Sequence, residues 1–140
     1  MKLFILILTL FAFAFQPKED NTLQLTVNNV KNNQGVVRVL LFKGPEGFPD
    51  VVEKAHGNAS VKIENGKAKI TFENLAEGTY ALSVFHDSQN TGKLRTNAFG
   101  VPRDGYGFSN NATGTFGPPS FEKAAFKVTA GKNHVEIDLR

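Results

Sequence analysis

The segment from His86 to Asn97, HDSQNTGKLRTN, holds the residues of this chain whose types and spacing most suggest chemistry. A histidine beside an aspartate could supply a general base and the acid that orients it. A glycine five residues after the aspartate is typical of a calcium-binding loop. Each possibility makes specific demands on the neighbouring residues.

A calcium loop of the EF type needs several oxygen ligands at alternate positions, a central glycine and a closing bidentate glutamate. Counted from Asp87, Gly92 fits the glycine, and Gln89 and Thr91 could add oxygens. Ala98 stands where the glutamate should be, so Asp87 would be the only carboxylate. Since calcium affinity follows the number of charged ligands, we expect no bound metal here. We also expect no cofactor. If a weak calcium site exists within 87–97, its ligands are Asp87, Gln89 and Thr91.

The alternative interpretation of the same residues is structural. Asp87 and Asn90 would cap a turn through their own backbone, and Gly92 would supply a positive φ angle. This interpretation is favoured over the metal site.

A catalytic role for His86 meets a geometric obstacle. Adjacent residues of a strand point to opposite faces of the sheet, so His86 and Asp87 cannot pair side by side. Partners would have to come from elsewhere in the chain: Asp104, Glu122 or Asp50 as the acid, and Ser88, Ser109 or Ser120 as the nucleophile. We therefore expect no catalytic residues, and expect His86 to be partly buried, with ring nitrogens that tie the following loop to its strand. A hydrolase using His86 with a loop carboxylate remains the alternative.

That loop, the long loop (residues 87–122), has no strand-length alternation over its 36 residues. It contains six of the chain's 13 glycines and five aromatic residues, so it is predicted to be ordered, with its aromatic rings packed over apolar positions of the sheets such as Phe42 and Phe85. Tyr106, Phe108 and Phe116 could instead form a platform for a sugar ring or an apolar ligand. The candidate binding residues are His86, Asp87, Asn90, Asn97, Tyr106, Phe108, Asn110 and Phe116.

The elements that must position these residues are short strands, because apolar and polar residues alternate through the rest of residues 21–140. Asn65-Gly66 predicts a type I′ turn, and a hairpin in which Val61 faces Ile70 and Glu64 lies opposite Lys67. That register also pairs Ile63 with Ala68 and Ala59 with Phe72.

The spacing Leu75-x-x-Gly78-x-Tyr80 is typical of a tyrosine corner, although a strand that merely begins with an aromatic residue would look the same. A short helical turn is expected around Pro49–Lys54.

The whole pattern predicts an all-β fold, an antiparallel immunoglobulin- or transthyretin-like β-sandwich of about seven strands with one long ordered loop.

The N-terminus predicts export. Lys2 precedes the apolar run LFILILTLFAFAF, which ends in Ala12-Phe13-Ala14 and is followed by polar residues. This is the pattern of a signal peptide, residues 1–14, cleaved after Ala14 and leaving a polar tail at residues 15–20. We expect a secreted or periplasmic protein with no membrane span after cleavage.

The absence of cysteine excludes disulfides and thiol chemistry. Sixteen Lys and Arg against 13 Asp and Glu, with no basic run, favour no nucleic-acid partner.

The strings HDSQNTGKL, TNAFGVPRDGYGFSNNA and FGPPSFEKAAF, between His86 and Phe126, resemble the signature of an exported bacterial family, domain of unknown function 2141. This resemblance implies a single exported β-sandwich domain with no established activity. Together with the residues above, it favours a non-catalytic binding or structural module. Such a module would use residues 86–121 to meet a protein or glycan partner that the sequence does not identify.

Overall fold

The computed structural model describes residues 20–140, so the predicted signal peptide and residues 15–19 of the predicted polar tail lie outside the described residues. Eight strands form within this range: β1 (Asn21–Asn28), β2 (Val36–Phe42), β3 (Gly57–Val61), β4 (Ala68–Leu75), β5 (Gly78–Asp87), β6 (Tyr106–Phe108), β7 (Phe126–Val128) and β8 (Lys132–Asp138). The helical elements are α1 (Phe121–Ala124) and two 3₁₀ turns, Val52–Lys54 and Ser109–Asn111. The first of these turns confirms the helical turn expected at Pro49–Lys54.

The strands form two sheets that pack face to face. One has the order β4-β1-β8 and the other β3-β2-β5-β6, with β7 pairing the first residues of β5. All pairings are antiparallel except that of β1 with β8. Alternate apolar residues of both sheets meet in one core, including Leu25 of β1, Val39 of β2, Leu82 of β5 and Ile137 of β8. The predicted all-β, two-sheet fold class is confirmed, with eight strands where about seven were expected.

The Asn65-Gly66 hairpin was predicted correctly at its turn and wrongly beyond it. Asn65 and Gly66 have φ of 51° and 74°, and Glu64 and Lys67 exchange two backbone hydrogen bonds, at 2.8 and 3.0 Å. The predicted partners further out do not pair, because β3 joins β2 and β4 joins β1. Residues 57–75 thus cross from one sheet to the other, and their apolar faces meet in the core instead of lying side by side in one sheet.

The predicted tyrosine corner is confirmed. Tyr80 is completely buried, and its hydroxyl donates a hydrogen bond of 2.8 Å to the carbonyl oxygen of Ala76. This bond closes the connection between β4 and β5, as the corner does in Greek-key sandwiches.

A second apolar cluster covers the other face of the sheet that contains β2 and β5. Its buried members are Phe42, Ala81, Phe108, Phe121 and Ala124, and Phe48 packs against three of them. The cluster confirms that rings of the long loop pack over Phe42, whereas Phe85, also expected to be covered, is not among its members.

The long loop is therefore less uniform than predicted, since β6, the second 3₁₀ turn and the start of α1 lie within it. Alternation could not reveal β6, because the strand has only three residues and Gly107 is its centre. A Cβ atom at Gly107 would lie 2.6 Å from Cγ2 of Ile137, so the close approach of β6 to β8 requires glycine there. Tyr106 and Arg140 exchange two backbone hydrogen bonds at this edge, at 3.2 and 3.1 Å.

Candidate functional site

The long loop leaves the sheet at His86 and Asp87, which are both buried. Nε2 of His86 lies 2.7 Å from the carbonyl oxygen of Gln34, and because a carbonyl only accepts, Nε2 is the donor. The backbone N–H of His86 donates to the carbonyl oxygen of Gly105 at 2.8 Å. The predicted burial of His86 is confirmed, but the prediction for its ring was wrong. The ring ties the β1–β2 connection to β5, and the backbone of His86 holds the long loop.

The carboxylate of Asp87 organises the residues that follow it. One oxygen accepts the Thr91 N–H at 2.9 Å, and the other accepts the Gly92 N–H at 2.7 Å and Nε of Arg38 at 2.9 Å. Burial alone would raise the pKa of Asp87, but the hydrogen bonds from Gly92, Thr91 and Arg38 outweigh it and hold that pKa below its ordinary value. Asp87 is therefore a charged cap inside the turn.

The turn interpretation of residues 87–92 is confirmed for its three residues. Asp87 caps the turn and Gly92 has a φ of 80°. Asn90 also belongs to the turn, since it has a φ of 53° and its backbone N–H donates to the carbonyl oxygen of Asp87 at 3.2 Å. Its side-chain oxygen in addition accepts a hydrogen bond from Nη2 of Arg38 at 2.8 Å. A third nitrogen of Arg38 donates to the Ser60 hydroxyl at 2.8 Å, so one guanidinium joins this turn to β3.

Two of the possible calcium ligands lie close together, since the Thr91 hydroxyl is 3.5 Å from Oδ1 of Asp87. Both oxygens of Asp87 already accept N–H groups, and Arg38 would oppose a second cation beside them. Gln89 and Thr91 are exposed, and the Thr91 hydroxyl donates to the Lys93 carbonyl at 3.3 Å. Within residues 20–140, no three His, Cys, Asp or Glu side chains are grouped to hold a metal ion.

A second ion pair lies at the base of the long loop. Arg95 binds Asp104 through two hydrogen bonds, Nε to Oδ2 at 2.8 Å and Nη2 to Oδ1 at 2.7 Å. The Ser88 hydroxyl also donates to Oδ1 of Asp104, at 3.1 Å. The hydrogen bond from Arg95 is the main reason why the pKa of Asp104 lies below its ordinary value. This three-residue group fastens residues 95 and 104 to the end of β5.

The same group bears on the hydrolase alternative. Ser88 and Asp104, two of the residues considered as partners of His86, do come together, but they bond to each other and to Arg95. The His86 side chain makes its hydrogen bond to the Gln34 carbonyl instead of to an acid or a hydroxyl. The arrangement holds the loop, and the Asp104 carboxylate that accepts the Ser88 hydroxyl has both of its oxygens bonded by Arg95.

The other residues considered for catalysis have structural partners or stand apart. Ser109 is buried, accepts the Leu82 N–H at 2.9 Å and donates to the Ala124 carbonyl, so it links β5 to α1. Ser120 is the N-cap of α1. Asp50 and Glu122 are exposed.

Residues 95–103 form a narrow hairpin, which we call the finger. Its two sides are joined by backbone hydrogen bonds from Arg103 N to Arg95 O at 2.8 Å and from Asn97 N to Val101 O at 2.9 Å. The side-chain oxygen of Asn97 accepts the N–H groups of Phe99 and Val101, at 2.8 and 3.0 Å. Asn97, predicted as a binding residue, thus shapes the tip. Phe99 and Val101 project from it, with 91% and 55% of their surface exposed.

The predicted aromatic platform does not assemble. Phe108 is buried in the second apolar cluster, Tyr106 packs against it half-buried, and Phe116 is fully exposed. Asn110 is exposed, but its amide nitrogen donates to the carbonyl oxygens of Lys123 and Ala125, at 3.2 and 2.8 Å. Of the candidate binding residues, Asn90, Asn97, Asn110 and Phe116 are exposed.

Three residues important here escaped the sequence analysis. Arg38 had a signal, since it is the only charged residue in the apolar strand VVRVLLF. Phe99 and Val101 had a weaker one, because Asn97 and Gly100 around them are typical turn residues that place the intervening side chains at a tip.

The chain matches the model of a protein family described as "Uncharacterized protein conserved in bacteria (DUF2141)" over residues 25–136. No curated protein matches the chain at a significant level. Among solved structures, a pilus-presented adhesin is similar over 86% of this chain and 28% of its own length, with 12% identity and a TM-score of 0.26. The chain thus spans less than a third of that adhesin. In residues 20–140, no helix is long and apolar enough to cross a membrane.

Proposed function

We propose the function of this chain from its own residues, because it belongs to the DUF2141 family of uncharacterised bacterial proteins, whose description states no reaction. It is an exported, non-catalytic binding or structural module that contacts its partner through residues 86–121.

The observation that carries this proposal is where large apolar side chains are exposed. Among residues 20–140, five such side chains are exposed, and Phe99, Val101 and Phe116 of these lie in the long loop. Exposed apolar side chains that lie together, as Phe99 and Val101 do at the tip of the finger, often mark an interaction site, and loops held on a rigid scaffold commonly carry such sites. Here the two ion pairs, Arg38–Asp87 and Arg95–Asp104, hold the first part of the loop on the sheet.

Export is the second part of the proposal. The apolar run after Lys2 and the small residues Ala12 and Ala14 support a cleaved signal peptide. The lack of cysteine is compatible with an oxidising compartment, because no thiol is present to be oxidised there.

Retention of the purified protein by bacterial envelope fractions tests the proposal. Phe99→Ser and Phe116→Ser remove apolar side chains from the long loop. The control, Val52→Ser, removes an apolar side chain that lies outside the long loop and is about as exposed as that of Val101. We expect at least one of the loop variants to lower retention roughly tenfold, the order expected for one buried apolar side chain. Val52→Ser should bind like the unmodified protein.

The proposal fails if both loop variants are retained like the unmodified protein, or if Val52→Ser lowers retention as much as they do. Thermal unfolding of every variant provides the folding control. Because all three side chains are exposed, their melting temperatures should stay close to that of the unmodified protein.

A further inference from the structure

We infer that the finger docks on an anionic lipid surface, with Phe99 and Val101 entering the headgroup region and Lys93 and Arg103 meeting the phosphates. This inference rests on the proposed function, since it names the partner class for part of the same surface.

The apolar part of the surface is a tip and not a groove. Phe99 is almost wholly exposed and Val101 is more than half exposed, with Ala98 and Gly100 as the other residues of the tip. A protruding tip of this kind can enter a soft interface without any matching cavity in the partner.

The tip is also ordered before it binds. Asn97 accepts two backbone N–H groups across the turn, and the paired sides of the finger end at the bidentate ion pair of Arg95 with Asp104. Gly100 has a φ of 77° and open space around it, which suits the sharp reversal at the tip. Since the backbone is already held, little conformational entropy is lost when the tip is buried.

The charges at the base of the finger favour an anionic surface. Lys93 and Arg103 are exposed and form no ion pair within residues 20–140. The two nearby carboxylates, Asp87 and Asp104, are each neutralised by an arginine. Apolar side chains flanked by free cations are the combination by which peripheral proteins bind anionic membranes.

The size of the tip favours a lipid surface over a protein. A stable protein interface buries about 800 Å² on each partner, and a single nine-residue hairpin with two large exposed apolar side chains offers far less. A glycan would need polar groups to fix its hydroxyls, whereas the side-chain oxygen of Asn97, at the tip, is already used in the turn.

Tryptophan fluorescence can report on the tip alone, because the chain contains no tryptophan. The experiment uses the processed protein, residues 15–140, whose described part contains both sheets and the shared core. Phe99→Trp should shift its emission to shorter wavelength with phosphatidylglycerol vesicles, and little with phosphatidylcholine vesicles. Salt should reverse the shift, since exposed charges are screened.

Phe116→Trp is the matched control, with a similarly exposed ring outside the finger, and its emission should not move.

Vesicle co-sedimentation then measures the individual contributions. Phe99→Ser should weaken binding to phosphatidylglycerol vesicles roughly tenfold or more, because one apolar side chain no longer leaves water. Lys93→Ser and Arg103→Ser should each weaken it about fivefold, the effect of one cation near an anionic bilayer.

Two results would overturn the inference: no emission shift of Phe99→Trp at lipid excess, or vesicle binding that Phe99→Ser leaves unchanged. The two proposals fail separately. If finger variants lower envelope retention but the unmodified protein does not bind vesicles, the loop has a partner other than lipid. Only the inference then fails. If finger variants affect neither measurement, the proposed function loses its support at the finger as well.

Discussion

At the scale of single residues, Asp87 decides how the long loop begins. Its two oxygens accept three N–H groups while the side chain is almost completely buried. Hydrogen bonds to a charged acceptor are stronger than those between neutral groups, so this carboxylate stabilises the turn in its ionised form.

Replacing Asp87 by asparagine tests this role. The amide presents an NH₂ group to N–H donors, so Asp87→Asn should lower the free energy of unfolding by roughly 2 kcal/mol at neutral pH. The pKa of Asp87 is lowered in the folded protein, so the stability it adds is present above the unfolded pKa and is lost as pH falls through the folded pKa. The difference between the two proteins should therefore shrink below about pH 4.

Urea unfolding from neutral to acidic pH provides the measurement, with Asp50→Asn at an exposed carboxylate as the control. A difference for Asp87→Asn that is the same at every pH would show that the charge of Asp87 is unimportant.

Residue patterns predicted part of this site. The turn role of Asp87 and Gly92 follows from local chemistry, because both residue types act within a few positions of the chain. The role of Arg38 could not be predicted in that way, because it reaches Asp87 from a neighbouring strand, 49 residues away in the chain. Tertiary hydrogen bonds of this kind depend on the register of β2 against β5.

At the scale of elements, the connection between β1 and β2 packs directly against the end of β5. A Cβ atom on Gly35 would lie 1.9 Å from the carbonyl oxygen of Asp87, which no small shift can relieve. This contact lies beside the His86–Gln34 hydrogen bond, and together they hold the origin of the long loop.

Two glycine replacements separate this contact from backbone strain. Gly35 and Gly92 both have positive φ, 68° and 80°, but a Cβ atom on Gly92 would meet nothing within 4 Å. Gly92→Ala should cost about 1 kcal/mol of unfolding free energy, the strain of an L residue in that region. Gly35→Ala should cost roughly 3 kcal/mol or more, because a steric clash is added to the same strain. Equal losses in denaturant unfolding would contradict this account of the β1–β2 connection.

The Asn65-Gly66 hairpin illustrates the limit of prediction at this scale. The turn depends on the residues within it, so its sequence was sufficient. The sheet to which each arm belongs depends on β1 and β2, which offer β4 and β3 complete antiparallel partners. Local alternation is equally compatible with either pairing and could not distinguish them.

At the scale of the whole molecule, two sheets enclose one core, and a second apolar cluster fastens part of the long loop to the outer face. The two-layer class was predictable, since period-two patterning and turn residues recur along the chain. The division of the long loop was not, because the burial of a ring such as Phe108 depends on β6 and α1, which are too short to leave a pattern.

Export is a prediction about the whole chain. If the signal peptide is cleaved after Ala14, the protein recovered from outside the cytoplasm should begin at Phe15. N-terminal sequencing or intact-mass analysis of that material measures it. Recovery of the full-length chain from the cytoplasm alone would contradict the prediction.

The central claim is that residues 86–121 form the contact surface, and hydrogen exchange of the protein with and without bacterial envelope tests it most directly. The account predicts slower amide exchange on binding in peptides that cover residues 86–121, strongest around Phe99, with no change in peptides that cover β3 and β4. Slower exchange confined to β3 and β4, with residues 86–121 unchanged, would contradict it.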